Sequence, residues 1–157
     1  MIEIEELDKN NQQEVDQVLE MIGSHLGGHR GQHAETSLQQ GSAEFVVAKI
    51  EGKIVACASY GFSQFHYETW WLGFCVVLPE YRRLHISSIL VDHRLEKIKQ
   101  AGGRWVLAAS LEPVDRVIKR GFVKLCETDP HQLMIIDLSK DKTGSLDDKG
   151  EPEKTSA

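Results

Sequence analysis

The chain has 157 residues, of which 41% are hydrophobic and 27% charged, and this composition is typical of one globular domain with its own core. Basic residues number 18 and acidic residues 24, so the formal net charge is −6, which argues against nucleic acid or an anionic membrane as the main partner. No apolar run approaches membrane-spanning length, and the acidic start at 1–5 is unlike a signal peptide, so a soluble cytoplasmic protein is expected.

The three cysteines all lie in apolar, strand-like runs. They are Cys57, Cys75 and Cys126. Their number is odd and no two have Cys-x-x-Cys spacing, which predicts reduced, buried thiols rather than disulfides or zinc ligands.

The first half of the chain predicts one helix and four strands. The predicted elements are a short strand around Ile2 and Ile4, a helix from Asn10 or Asn11 to about Ile22, and strands at Glu44–Ile50, Ile54–Phe62 and Thr69–Val77. The dipeptide Glu51-Gly52 predicts a hairpin turn. The segment 23–33 contains four glycines and three histidines and predicts a flexible polar loop, although a short helix stays open in the element order.

The second half predicts two helices and three strands, followed by a tail. The predicted elements are a helix at Ser87–Gln100, a strand at Trp105–Ala109, a helix at Pro113–Arg120, and strands at Phe122–Cys126 and Leu133–Leu138. From Ser139 onwards the sequence has one leucine and no aromatic residue, so 139–157 is expected to be a disordered charged tail on a domain at 1–138.

The element order places antiparallel strands first and a βαβ crossover after them. It reads β-α-(loop or short helix)-β-β-β-α-β-α-β-β. Such an order predicts an α+β or mixed-sheet α/β domain with helices on the faces of the sheet.

The segment 77–90 carries the main functional signal. An apolar strand ends, Pro79 turns the chain, Arg82 and Arg83 follow, and an amphipathic helix begins. The start of a helix has unpaired amide N–H groups and the positive end of the helix dipole, so it binds phosphate groups. The segment is therefore interpreted as an anion-binding loop, although it contains no glycine.

Three landmarks in this order resemble the GNAT superfamily of acyl-CoA N-acyltransferases over roughly residues 1–138. They are the strand and loop Val76-Val77-Leu78-Pro79-Glu80-Tyr81-Arg82, the helix Ser87–Gln100 with Ala101-Gly102-Gly103, and the run from Pro113 to Gly121-Phe122. The resemblance implies a central, mostly antiparallel twisted sheet of six to seven strands with helices on both faces. It also implies acetyl-CoA as co-substrate and direct attack by an amine on the thioester.

The same resemblance implies the cofactor-binding residues. The backbone of Cys75, Val76 and Val77 would pair with the pantetheine arm as an added strand would. The pyrophosphate would be held by the arginines and backbone amides of the loop, which are Arg82, Arg83, Leu84, His85, Ile86, Ser87 and Ser88.

The loop departs from the family pattern Arg/Gln-x-x-Gly-x-Gly/Ala at two positions. His85 stands where the family has glycine, and Ser87 stands where it has glycine or alanine. The imidazole of His85 can add a charge-assisted bond to the pyrophosphate, or it can fill the loop and weaken cofactor binding. We favour retained binding, because the arginines and the strand–loop–helix order persist.

The catalytic positions depart as well. Trp71 occupies the position of the family's strand glutamate, so Glu68 or His66 at the start of the strand is predicted as the base. Val117 occupies the position of the tyrosine that protonates the thiolate, so water is expected to supply that proton.

Two further groups admit more than one interpretation. His25, His29 and His33 are spaced by four, but the intervening glycines favour a polar loop over a metal site, and no metal is predicted. By the resemblance this loop borders the acceptor site, so its histidines and Arg30 either contact substrate or lie in solvent. For the pair Trp70-Trp71, core packing is expected for both, with the alternative that one lines an acceptor pocket.

The leading hypothesis is an N-acyltransferase that transfers acetyl to a primary amine on a small molecule or peptide. The alternative is a GNAT-fold binding or regulatory protein that has lost turnover but keeps a CoA-type ligand. A macromolecular acceptor is a third hypothesis, and the acidic balance argues against DNA in that role. The identity of the amine and pairing of strands across a homodimer stay open.

Overall fold

The computed structural model describes residues 1–63, 66, 68–110, 115–128 and 131–140. Seven strands form one sheet in the order β1-β2-β3-β4-β5-β7-β6. In chain order the elements are β1 Ile2–Glu6, α1 Gln12–Leu26, α2 Gly28–Gln40, β2 Glu44–Ile50, β3 Lys53–Phe62, β4 Thr69–Val77, a 3-10 turn Pro79–Leu84, α3 Ile86–Gln100, β5 Trp105–Ser110, α4 Asp115–Ile118, β6 Val123–Thr128 and β7 His131–Asp137.

Every neighbouring pair of strands is antiparallel except β4 and β5, which run parallel. A parallel pair needs a crossover, and α3 provides it between the two strands. Helices α1 and α2 pack on one face, and α3 and α4 pack on the other. The predicted mixed sheet of six to seven strands with helices on both faces is therefore confirmed.

Most predicted strand and helix bounds agree with the structure within two residues, and those of β2 and β4 agree completely. The cap of α1 is Asn11, whose side chain accepts the N–H of Glu14 at 3.2 Å. The predicted helix start at Pro113 and all but the first two residues of the predicted tail lie outside the described residues.

The flexible loop predicted at 23–33 is wrong, because α1 continues to Leu26 and α2 begins at Gly28. Gly27 has a φ of 105°, so one glycine makes the corner between the two helices. At Gly31 the two helices approach closely, since a Cβ there would lie 3.1 Å from the Cα of Gly23. These glycines serve a tight helical hairpin rather than a loop.

Strand β4 contains a β-bulge at Phe74, which has a φ of 44°. Simple alternation predicts Phe74 on the same face as Trp70 and Leu72, and this prediction is wrong. Phe74 packs against the α1 and α2 core, while Cys75 and Val77 pack on the α3 face. Because of the extra residue, each side chain from Phe74 onwards lies on the face of the sheet opposite to the one that simple alternation predicts.

The three cysteines are free thiols in different surroundings. Cys57 is buried and Cys75 is partly buried, but Cys126 is exposed, which contradicts the expectation of burial. Cys126 lies on β6, an edge strand whose residues all face solvent. In the described part of the chain no helix is long and apolar enough to cross a membrane. The cytoplasmic location stays a prediction.

Candidate active site

A wedge opens between β4 and β5 because the two strands pair over only part of their length. Thr69–Leu72 lies beside Trp105–Ala108 in parallel register. Beyond Leu72, β4 pairs with β3 on one edge, and no described strand occupies its other edge. Ala109 and Ser110 of β5 continue along β7 instead. The backbone groups on this open edge of β4 are available to an extended ligand.

A cleft of about 330 Å³ lies at the outer end of this wedge. Its lining residues come from the end of α1, the end of β4, the 3-10 turn and the first turn of α3. They are His25, Leu26, Cys75, Val76, Val77, Arg82 and Ser87. The structure therefore brings together five of the ten predicted cofactor-binding residues around one cavity.

His25 was predicted only as a possible substrate contact and Leu26 not at all, and neither was placed among the cofactor-binding residues, because the sequence indicated a loop after Ile22. The signal that could have found them is apolar spacing, since Val18, Ile22 and Leu26 recur at intervals of four. His25 is held by a contact of 3.0 Å between its Nδ1 and the carbonyl of Met21. The last turn of α1 thus forms one wall of the cleft.

A side-chain hydrogen bond of Arg82 connects the 3-10 turn to the end of β4. Its Nε–H donates to the carbonyl of Val77 at 3.0 Å, which uses one of the five N–H donors of the guanidinium. Arg83 and Leu84 are exposed and lie outside the cleft lining. Ile86 is buried in the core under α3, so any contact it makes with a ligand would come from its backbone amide.

His85 adopts a left-handed conformation, with a φ of 59° and a ψ of 28°, immediately before α3. Histidine reaches this region more readily than most residues other than glycine. The carbonyl of His85 accepts the N–H of Ile89 at 3.2 Å, which begins the helix. The backbone thus makes the bend that the family makes with glycine. The exposed side chain is outside the cleft lining, which favours the interpretation that it does not fill the loop.

The first amides of α3 lie beside the cleft, which Ser87 helps to line. The first helical bond joins the N–H of Ile89 to the carbonyl of His85, so the preceding N–H groups of Ile86, Ser87 and Ser88 have no partner within the helix. They carry the positive end of the helix dipole and are directed towards the end of the helix where Arg82 lies. This arrangement suits a pyrophosphate.

The predicted bases Glu68 and His66 lie in the turn before β4. His66 Nδ1 accepts the N–H of Glu68 at 3.2 Å, and the carbonyl of Glu68 accepts the amides of Arg104 and Trp105 at 2.9 and 3.0 Å. Gly73 lies five positions after Glu68, which corresponds to about 16 Å along a strand. The structure does not bring these two residues to the cleft. Their role as base stays a prediction.

The two tryptophans of β4 have different surroundings. Trp70 stacks with Tyr60 at a centroid distance of 6.2 Å and contacts Phe62, as the core prediction requires. Trp71 is 41% exposed, so the core prediction is wrong for this residue. By alternation it lies on the opposite face of the sheet from Trp70 and Leu72, which pack with α3.

Phe74 and His33 meet above the point where β4 leaves β5. Phe74 stacks with Phe45 at 6.0 Å, and the ring of His33 lies edge-on to Phe74 at 5.3 Å. His33 is on α2 and its side chain is exposed. The sequence could not show this pair, because the bulge that turns Phe74 towards α2 leaves no mark in the hydrophobic pattern.

Arg94 is a buried cation beneath the bulge and is only 2% exposed. Its side chain donates to the carbonyls of Leu90, Ser59 and Gly73 at 3.1, 2.9 and 3.4 Å. These bonds connect α3 to β3 and β4 where the ladder is irregular. The sequence analysis did not single out Arg94, because nothing in the local pattern distinguishes it from the other charged residues of the helix.

Three further side chains near the core are buried, those of Cys57, Tyr60 and Val117, and the Tyr60 hydroxyl is also hydrogen-bonded. Burial raises the pKa of the Cys57 thiol to about 12, so this residue is a poor nucleophile. The hydroxyl of Tyr60 donates to Glu6 at 2.8 Å, and burial together with this bond raises its pKa well above the usual range. Val117 is packed in the core under α3. The structure thus offers no hydroxyl at the position where the family carries its tyrosine.

A family model supports the resemblance. The model of the acetyltransferase (GNAT) family matches residues 13–122, well over half of the chain. The chain belongs to the acetyltransferase (GNAT) family, which supports acyl transfer as its general chemistry. No curated protein sequence matches the chain significantly.

Solved structures with the same fold include two aminoglycoside acetyltransferases. An aminoglycoside 6'-acetyltransferase type Ii has a TM-score of 0.73 and 18% identity over 87% of this chain and 97% of its own. The aminoglycoside 6'-N-acetyltransferase from Enterococcus faecium has a TM-score of 0.71 and 16% identity over the same shares. At these identities the similarity shows the fold alone.

A third structure contains the cofactor. The PaiA N-acetyltransferase from Thermoplasma acidophilum in complex with coenzyme A has a TM-score of 0.64 and 14% identity, covering 87% of this chain and 99% of its own. The GNAT fold of this chain is therefore established by both its family model and its architecture.

Proposed function

We propose that this protein is an acyl-CoA-dependent N-acyltransferase that transfers acetyl from acetyl-CoA to a primary amine. The observation that carries the proposal is the continuity of one surface. The open edge of β4 leads directly through the cleft to the free amides at the start of α3. A ligand with an extended amide-containing arm and a pyrophosphate matches that surface in order.

The cofactor would be held at two places. The amides of Ile86, Ser87 and Ser88, with the guanidinium of Arg82, would bind the pyrophosphate. The open edge at Cys75, Val76 and Val77 would pair with the amides of the pantetheine arm. Arg83, Leu84 and His85 would add charge and backbone curvature at the outside of the loop. When bound, acetyl-CoA supplies the activated acyl group.

The acceptor is proposed to be a cationic or aromatic-flanked primary amine. The net charge of −6 favours the approach of cations, and exposed Trp71 offers an aromatic surface beside the wedge. Two proteins of similar fold are named as aminoglycoside acetyltransferases, one of them as an N-acetyltransferase, which agrees with this class. A peptide amine stays within the proposal.

The reaction would be direct transfer. The amine must be neutral to attack, so a base removes its proton and the nitrogen lone pair forms the new C–N bond. The C–S bond breaks and its electron pair leaves on sulfur, where water supplies the proton, since Val117 carries no hydroxyl. Glu68 and His66 remain the sequence-predicted candidates for the base.

Two substitutions favour a second candidate, a protein that binds a CoA-type ligand without turnover. Trp71 and Val117 replace the two residues with which the family most often moves protons. The CoA thiolate is a good enough leaving group that the loss of the family's acid need not abolish turnover, so we place catalysis first.

The test is a turnover assay with acetyl-CoA and a panel of amines: a polyamine, an aminoglycoside, an amino acid and a peptide with a free N-terminus. Because Cys126 is exposed and would react with a thiol reagent, the assay uses a Cys126→Ser variant and confirms the acetylated product by mass. CoA release with at least one amine is expected. Binding of acetyl-CoA with no turnover on any amine would favour the second candidate, and absence of binding would reject both.

A further inference from the structure

His33 lies against the most strained residue of β4. Phe74 has a φ of 44°, which is rare for a bulky residue, and such strain persists where the surrounding structure imposes it, often at functional sites. The ring of His33 contacts this residue edge-on at 5.3 Å. A titratable side chain thus borders the point where β4 separates from β5.

The thioester of a bound cofactor would arrive at the same point. In the proposed function the pyrophosphate lies at the start of α3, and the arm follows the open edge of β4 from Val77 inwards. The edge closes at Leu72, where pairing with β5 begins. The reactive end of the arm therefore stops near Gly73 and Phe74, at the closed end of the wedge.

The amine substrate can reach the wedge from one of the two faces of the sheet. On the α3 side, buried Arg94 and Leu72 fill the space beneath the bulge. On the opposite side, Trp71 is 41% exposed and His33 is exposed. An amine can approach the thioester from this second face, between the aromatic surface and α2.

The position of His33 is set by the packing of two helices. Gly31 lies against Gly23 so closely that a Cβ would come within 3.1 Å of the Cα of Gly23. Ala34 and Ser37, on the turns after Gly31, are buried against the sheet side of α2. Helix α2 is therefore held against α1, which packs on β4, and His33 lies over Phe74 rather than in a loop.

We infer that His33 is the general base of the transfer reaction and that Trp71 and Phe74 form the aromatic wall of the acceptor site. This inference rests on the proposed function. A ring nitrogen of neutral His33 takes a proton from the amine, directly or through one water. The amine nitrogen forms the bond to the acyl carbon, the C–S bond breaks, and the CoA thiolate takes a proton from water. The imidazolium then returns its proton to solvent.

The experiment compares His33→Gln and His33→Ala with Gln32→Ala, an exposed neighbour on the same helix, at saturating acetyl-CoA. General-base catalysis contributes about 10²–10⁴-fold, so both His33 variants should lose kcat on that scale. The KM for acetyl-CoA should stay within about threefold, because His33 is outside the cofactor cleft. Added imidazole should restore part of the kcat of His33→Ala, a rescue that a purely structural role would not give.

Two parallel variants, Glu68→Gln and His66→Asn, test the sequence-predicted bases. Full kcat in His33→Gln would overturn the inference, and loss of kcat in either parallel variant would then place the base at the start of β4. Loss of kcat without rescue by imidazole, together with a raised KM for acetyl-CoA, would make His33 a structural residue and would also overturn it. Absence of turnover in the wild-type protein would instead reject the proposed function itself.

Discussion

His85 occupies a backbone conformation in which glycine is free of strain and other residues are not. For L-residues the left-handed region costs about 1–2 kcal/mol, and histidine is among those that tolerate it better. Its φ of 59° shows that the loop keeps the bend while changing the side chain. Other interactions of the folded chain offset the energetic cost of this backbone conformation. The amides at the start of α3 stay available to a ligand.

The His85→Gly substitution should raise the free energy of unfolding by up to about 1 kcal/mol, because relief of strain exceeds the entropy that glycine adds to the unfolded chain. Affinity for acetyl-CoA should change by less than about threefold, since the backbone amides supply the contacts. Urea unfolding and calorimetry measure the two quantities. His85→Ala is the matched control, which removes the imidazole but keeps the strain. A large loss of affinity in both variants would show that the imidazole itself binds the cofactor.

Arg94 stabilises the irregular part of β4. Replacing it with methionine removes the bonds to the carbonyls of Ser59 and Gly73 and leaves buried acceptors, at about 1–3 kcal/mol each. Arg94→Met should therefore lower the free energy of unfolding by about 2–4 kcal/mol, measured by urea unfolding. Lys99→Met, on the exposed side of the same helix, should be nearly neutral. Equal effects of the two substitutions would contradict this role for Arg94.

At the scale of elements, an ion pair between Arg104 and Asp137 connects the start of β5 to the end of β7. Arg104 donates from Nε and an NH2 group to the two oxygens of Asp137, at 3.2 and 3.3 Å, and Ser139 donates to the same carboxylate. The bonds from Arg104, and then those from Ser139, lower the pKa of Asp137 to about 2.

A carboxyl group whose pKa is lower in the folded state stabilises the fold above its unfolded pKa. That contribution should be lost as the pH falls from about 4 to about 2, because the unfolded chain binds the proton first. Asp137→Asn should abolish this loss of stability at low pH. At higher pH the slope of the free energy of unfolding against pH should change little. Urea unfolding at a series of pH values measures the effect. An unchanged acid limb in the variant would contradict the assignment.

The elements that were predicted well share a strong local pattern. In β2 and β4, β-branched and aromatic residues form runs of strand length bounded by turn residues, so both ends could be predicted. Helix α2 was only an open alternative to the favoured loop, because it contains two glycines and packs closely against α1. The bulge at Phe74 was equally hidden, since the pairing of β4 with β3 and the bond of Arg94 to the Gly73 carbonyl are contacts between elements.

The residues of the candidate site also fall into a group that the sequence predicts and a group that it does not. The end of β4 and the first turn of α3 could be found from sequence, because they are adjacent in the chain. For His25 and His33 the resemblance left contact with substrate and solvent exposure equally open, and Arg94 was not singled out, because each reaches the wedge from another element through tertiary packing. Glu68 was proposed from its nearness in sequence, and the strand geometry places it at the far end of β4.

At the scale of the whole molecule, the domain should fold without the residues after Lys140. The segment 141–157 contains one leucine and no aromatic residue, so it has little apolar surface to bury. A chain that ends at Lys140 should therefore keep its Tm within about 2 °C and its affinity for acetyl-CoA within about twofold. Differential scanning calorimetry and titration measure both. A large fall in either would assign the segment a role in the fold or the site.

The most direct test of the central claim is a calorimetric titration with acetyl-CoA and, in parallel, with acetyl-pantetheine, which lacks the pyrophosphate. If the start of α3 is the anion-binding site, acetyl-CoA should bind at one site per chain and acetyl-pantetheine should bind about tenfold or more weakly. Arg82→Ala should weaken acetyl-CoA to a similar degree, while Lys140→Ala should not. Equal affinity for the two ligands, or no binding of acetyl-CoA at saturating concentration, would contradict the claim.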